Sequence, residues 1–214
     1  MAKPITWKNL TAHPSPGWLA TYDAVAFLLE RVNFFGRDLT ILATGPLTNL
    51  ATAIKLDTAA TQQVGSLVII GGALANKNTD EFNLSADQEA TEIVLKAGLN
   101  TVLIPFEALQ KMNNPLVWFK IQGMTTDHAK FYASVIDDQR AQGNGEAADG
   151  LFDQLGALYV LNPGLFRTEQ RKVHVNFSQN CMGRIVQDPA GSPVTVVTDL
   201  DVDGVNNLLL ERLS

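Results

Sequence analysis

Short apolar runs alternate with amphipathic helical stretches through the first half of this chain, and that alternation admits few folds. The runs 38–43 (DLTILA), Ser66–Ile70 (SLVII) and 101–105 (TVLIP) have the length of strands and are largely apolar. Helical periodicity marks 18–34, the stretch LTNLATAIKL after Thr44-Gly45-Pro46, and a segment from Asp87 to about Ala97. Strands apolar on both faces and joined by crossover helices form a parallel sheet covered on both sides. The chain is therefore expected to be α/β, with a mainly parallel sheet and flanking helices. Pro46 suits a first helical position, Asp87 a helix cap, and Gly98 the residue just past a helix end.

The second half is less regular. Mixed helical periodicity over 114–140 leads into the loop 141–145 (AQGNG), and 151–161 reads as a buried helix. Strand-like segments follow at 172–177, 184–187 and 194–198, and 202–213 closes the chain as a helix. No repeat, low-complexity tract or linker interrupts the sequence, so 1–214 is read as a single domain. With 46% hydrophobic residues it can bury a sizeable core. The first element is a helix after a Pro-rich opening, with no strand before it.

Composition removes several functions. A formal charge of −6 with no run of lysine or arginine argues against a nucleic-acid partner, whose phosphates demand clustered positive charge. The single cysteine, Cys181, forms no internal disulfide and fits a reducing compartment. It reads as a small buried apolar residue, since no cationic neighbour activates it. Residues 1–7 carry no signal-peptide core and no stretch is long enough to span a membrane, so a cytoplasmic protein is expected. Without a secretory signal, the glycosylation-like triplets at Asn9, Asn83 and Asn176 are read as chance. His13, His128 and His174 lie apart, without metal-ligand spacing. Asp199, Asp201, Asp203 and Gly204 imitate the start of an EF-hand loop, but its twelfth position is Leu210, so that site is rejected. Phosphate loops, G-x-S-x-G and H-E-x-x-H are absent.

The chemistry concentrates after the strand Ser66–Ile70. Gly71-Gly72-Ala73 lets the backbone turn sharply and approach a ligand, and Asn76, Asn78, Glu81 and Asn83 follow. Ligands of open α/β sheets bind at this end of the strands. A carboxylate flanked by amides suits a polyhydroxylated ligand, because both groups pair with adjacent hydroxyls. The pattern predicts a sugar. Asp153, inside an otherwise apolar helix, calls for a partner or a metal.

Several blocks together resemble the inosine/uridine-preferring nucleoside hydrolases. They are Leu42-Ala43-Thr44-Gly45-Pro46-Leu47-Thr48-Asn49-Leu50-Ala51, Gly71-Gly72-Ala73, Glu81-Phe82-Asn83 and Asp87-Gln88-Glu89-Ala90. Leu151-Phe152-Asp153-Gln154-Leu155-Gly156-Ala157-Leu158 resembles the family's His-Asp helix, and Val196-Val197-Thr198-Asp199-Leu200-Asp201-Val202-Asp203 its close. The likeness covers about 20–213 and implies a Rossmann-like core, N-terminally truncated relative to the family. It implies hydrolysis of the N-glycosidic bond of ribonucleosides to ribose and base, in purine and pyrimidine nucleoside salvage. It also implies a calcium ion, with Thr44 giving a backbone carbonyl and Asp153 a carboxylate. Glu81 and Asn83 match the ribose-binding pair, and Asn76 or Asn78 stands for a further asparagine.

Two departures bear on chemistry. The family's D-x-D-x-x-x-D-D cluster, which supplies most calcium ligands and the general base, has no counterpart before Thr44. Phe152 occupies the usual histidine position, where an aromatic ring can stack on a base but cannot protonate it. No catalytic residue is therefore assigned, and Phe152 is counted with the substrate-binding residues. Weak calcium binding, very slow ribose release and a homo-oligomeric or assisted state are expected. The alternative reading is a catalytically impaired ribose- or nucleoside-binding remnant, or a fragment of a longer enzyme.

Overall fold

The computed structural model describes residues 23–74, 81–112, 115–141, 152–177 and 185–214, and only the backbone of Pro115, Gln139 and Phe152. Helix α1 (Ala24–Phe35) starts where the Asp23 carboxylate accepts the Val25 N–H, and ends at Gly36, whose φ of 52° suits glycine. The chain then enters β1 (Thr40–Ala43). Helices α2 (Thr48–Leu56) and α3 (Thr58–Thr61) lead to β2 (Ser66–Ile70). Helices α4 (Phe82–Ser85) and α5 (Gln88–Lys96) lead to β3 (Thr101–Ile104). Pro46 falls two residues before the first residue of α2, not inside it, because Leu47 still has a non-helical backbone. Asp87 caps α5 as expected, accepting the Ala90 N–H at 2.9 Å.

Beyond β3 come α6 (Phe106–Leu109), α7 (Pro115–Gln122), α8 (Asp127–Ala141) and α9 (Phe152–Leu161). Strands β4 (Phe166–Val175), β5 (Ile185–Gln187) and β6 (Ser192–Leu200) precede α10 (Val202–Leu213). The six strands lie in the order β1-β2-β3-β6-β4-β5. β1, β2, β3 and β6 run parallel, whereas β4 is antiparallel to both of its neighbours. β4 begins six residues before the strand expected from 172. After the buried Phe166, the residues RTEQRK are polar and mostly exposed, and backbone pairing with β6 holds them in the sheet.

Alternation along the parallel strands divides the core between two layers. Leu67, Ile69 and Leu103 face α2 and α5, packing on Leu50, Ile54, Val94 and Leu95. Val68, Ile70, Val102 and Ile104 face the opposite layer, with Leu155 and Leu158 of α9 and Val205 and Leu209 of α10. β2 and β3 are buried almost throughout, as their continuous apolar sequences require. β1, at the margin of the described sheet, is half-buried.

Candidate functional site

Register brings the carboxyl ends of three strands together: Ala43 lies opposite Ile69, and Ile70 opposite Ile104. Thr44, Gly71 and Pro105 therefore leave the sheet side by side, the position at which open α/β sheets take ligands. Thr44 is exposed there.

Glu81 lies against the end of β2 and is only 8% exposed. Its Oε1 accepts the Asn83 N–H at 2.9 Å and its Oε2 the Leu84 N–H at 2.8 Å, so the carboxylate caps α4. Asn83 donates its side-chain amide to the Ile70 carbonyl at 3.0 Å. Gly71 and Gly72 have φ of 145° and 83°, a backbone that favours glycine. Each Glu81 oxygen carries a second lone pair, and those two can accept from vicinal hydroxyls. Phe82, between the two polar residues, is exposed.

Asp153 comes from the other layer. It lies in the first turn of α9, one turn before Gly156 and on the same helix face. A β-carbon at Gly156 would meet Leu42 Cδ1 at 2.6 Å and Ile70 Cδ1 at 2.8 Å, so α9 is seated on the last residues of β1 and β2. Ile70 thus links the two carboxylate-bearing segments, its carbonyl holding Asn83 and its side chain abutting Gly156. Asp153 is exposed, so the expected need of a buried carboxylate for a partner or a metal does not arise from burial; partial desolvation nonetheless raises its carboxyl above the ordinary range.

Asn76 and Asn78 lie outside the described residues, as do the Phe152 side chain and Cys181. Two contacts at the site were not singled out in the sequence. The Thr48 hydroxyl donates to Asp87 Oδ2 at 2.7 Å, tying the start of α2 to the cap of α5. Glu107, two residues past Pro105, accepts the Leu74 N–H through Oε1 at 3.0 Å. Its place just beyond a strand's carboxyl end was the signal that could have found it. Two of the rejected EF-hand carboxylates have structural partners: Asp199 pairs with Lys111 at 2.6 Å, and Asp201 caps α10.

Among the described residues, no three His, Cys, Asp or Glu side chains converge as a metal site. Calcium takes about six to eight oxygen donors. Asp153 and the Thr44 carbonyl fall well short of that number. The described donor set does not fit a calcium ion by itself, and no chemical step is derived through one.

The sequence profile of the inosine-uridine preferring nucleoside hydrolases matches residues 8–207. The chain belongs to that family. It is 31% identical to uridine nucleosidase 1 of Arabidopsis thaliana, with 89% of this chain aligned, and spans 63% of that protein's length. It is 25% identical to the pyrimidine-specific ribonucleoside hydrolase of Escherichia coli, covering 83% of this chain and 62% of the relative. A solved plant nucleoside hydrolase superimposes with a TM-score of 0.83 over 94% of this chain and 69% of its own, at 23% identity. A purine-preferring ribonucleoside hydrolase from Gardnerella vaginalis gives 0.79 at 25% identity, over 90% of this chain and 65% of its own. The family's α/β fold, expected from the alternating runs, is the fold observed. Among the described residues no helix is long and apolar enough to cross a membrane.

Proposed function

We propose that this chain acts on a ribonucleoside, holding the ribose at the carboxyl end of β2 and hydrolysing the N-glycosidic bond to ribose and free base. The observation that carries this reading is Glu81, buried beside Gly71 and Asn83, its oxygens oriented by two backbone N–H groups. A carboxylate held in this way needs no reorganisation to accept two ribose hydroxyls. It also places negative charge near a sugar ring that becomes oxocarbenium-like as the bond breaks. Asn83 is the second ribose group, and Asn76, Asn78 and Phe152 complete the proposed substrate-binding set. The two relatives named for uridine or pyrimidine-specific activity agree with a nucleoside substrate.

Calcium would polarise the attacking water. The resemblance gives Thr44 and Asp153 as its donors, and they make an incomplete shell. With Phe152 unable to protonate the departing base, ribose release by these 214 residues is expected to be slow. The lone cysteine supports a reducing, cytoplasmic setting, and the half-buried margin of the described sheet at β1 supports a homo-oligomer.

The test combines binding and turnover. Calorimetry with inosine and uridine is expected to show binding, and a reducing-sugar assay slow release of ribose, both lost in Glu81→Ala. A chain that binds neither nucleoside and releases no ribose would overturn the reading.

A further inference from the structure

Resting on the ribose reading above, we infer that Glu107 is a positioning residue for the ribose site, acting through the backbone of Leu74. The strand-end segment 71–74 leaves the sheet under restraint from both sides. The Gly71 N–H donates to the Ile104 carbonyl at 3.1 Å, and the Phe106 N–H to the Gly72 carbonyl at 2.8 Å. On the other side the Ile185 N–H donates to the Ala73 carbonyl at 3.3 Å. At Pro105 the chain following β3 turns into α6, and there the acceptor for the Leu74 N–H is a side chain rather than the backbone. The Glu107 carboxylate takes that place at 3.0 Å. A carboxylate is a stronger class of acceptor than a backbone carbonyl, which suits it to hold the end of the segment.

The anchored segment touches the ribose-binding group directly. A β-carbon at Gly71 would lie 3.0 Å from Glu81 Oε2, so the backbone that Glu107 restrains forms one wall of the Glu81 carboxylate's seat. Releasing Leu74 loosens the wall beside Glu81. A misplacement of about 1 Å can cost on the order of 100-fold in rate, and the hydrogen bonds that Glu81 offers ribose depend on the same alignment. Glu107 touches no substrate atom in this account; its effect passes through Leu74.

The experiment measures inosine and D-ribose affinity by calorimetry in the 214-residue chain and its Glu107 variants, with amide hydrogen exchange at Leu74 and thermal melts. Glu107→Ala is expected to weaken both ligands at least tenfold and to speed Leu74 exchange, while the melt falls by only a few degrees. Glu107→Gln, which keeps an oxygen acceptor, is expected to restore affinity to within about threefold. Glu107→Asp keeps the charge but shortens the reach by one carbon, and is expected to behave like Glu107→Ala. It decides the matter should the alanine variant not fold. Parent-like affinity, or unchanged Leu74 exchange, in the variants that lose the contact would overturn the proposal. Failure of the unaltered chain to bind inosine would instead count against the ribose reading, and Leu74 exchange would still decide whether the anchor exists.

Discussion

The Gly71 backbone and the Glu81 carboxylate lie so close that a side chain between them would force a neighbour to shift: a β-carbon at Gly71 would lie 3.0 Å from Oε2 and 3.1 Å from Leu84 Cγ. The backbone there, with φ of 145°, also disfavours any other residue. Gly71→Ala is therefore expected to destabilise the fold by about 1–3 kcal/mol through backbone strain alone. It is also expected to push the Glu81 carboxylate out of line. Both effects are measurable, one by melting and the other by inosine affinity. A variant that melts and binds like the parent would show that the contact is slack.

Gly156 performs a similar task for the opposite layer. Adding a methyl there brings carbon to 2.6 Å of Leu42 and 2.8 Å of Ile70. Overpacking costs about 1–3 kcal/mol, against about 1 kcal/mol gained by replacing glycine with alanine in a helix. The clashing atoms are the ends of flexible side chains, but Ile70 is fully buried and has little room to move, so Gly156→Ala is expected to lower the melting temperature, at about 2–4 °C per kcal/mol for a domain of this size. Gly45 has nothing within 4 Å of its β-carbon position, so Gly45→Ala serves as the neutral control. Equal melts for the two variants would refute the close seating of α9.

The parallel half of the fold was legible because each strand buries both faces. Ser66–Ile70 and Thr101–Ile104 carry no polar residue after the first, and no other element of that length buries so completely. β4 was only half legible. Arg167, Thr168, Glu169 and Gln170 are exposed and lie in the sheet through backbone pairing with β6, which leaves no periodic trace in side-chain chemistry. The helix after Thr44-Gly45-Pro46 was found with its start misplaced, since a proline marks a favourable entry without saying on which side of it the turn falls.

At the site, Glu81, Asn83 and Asp87 could be read because they follow a glycine pair at a strand end. The double duty of Glu81, as helix cap and as expected sugar ligand, could not be read, since capping depends on where α4 begins. Glu107 and Thr48 escaped for a related reason. Each acts on a residue more than thirty positions away, and one sequence gives no pairing information across such a gap.

Asp87 is open to a pH test. The Ala90 N–H, then the Thr48 hydroxyl, hold its carboxyl below the ordinary aspartate range. A depressed native pKa contributes stability that is full above the unfolded value, near 4, and is lost as the pH falls through the lower native value. Asp87→Ala is expected to cost about 1 kcal/mol at neutral pH through the lost cap, less as the pH falls below 4. Asp87→Asn keeps a capping oxygen without titrating, so its melt should lose less between pH 5 and 2 than that of the parent. These pH values are about where an aspartate titrates. Parallel acid profiles for the parent and Asp87→Asn would show that this carboxylate does not link folding to protons.

Calcium gives the last test, because the donor set at the strand ends makes a quantitative statement. A ligand at 100 times its dissociation constant stabilises a native state by about 2.7 kcal/mol. For a chain of this size that is a rise of roughly 5–10 °C in melting temperature. Asp153 and one carbonyl from Thr44 leave most of the coordination shell to water, and among the described residues no three His, Cys, Asp or Glu side chains converge as a metal site. The melt in millimolar calcium is accordingly expected to stay within about 2 °C of the melt in chelator, and Asp153→Asn to leave that difference unchanged. A rise of the full size that disappears in Asp153→Asn would mean that other oxygens complete the shell. The slow turnover proposed for this chain would then lose its physical basis, since a held calcium could polarise the attacking water.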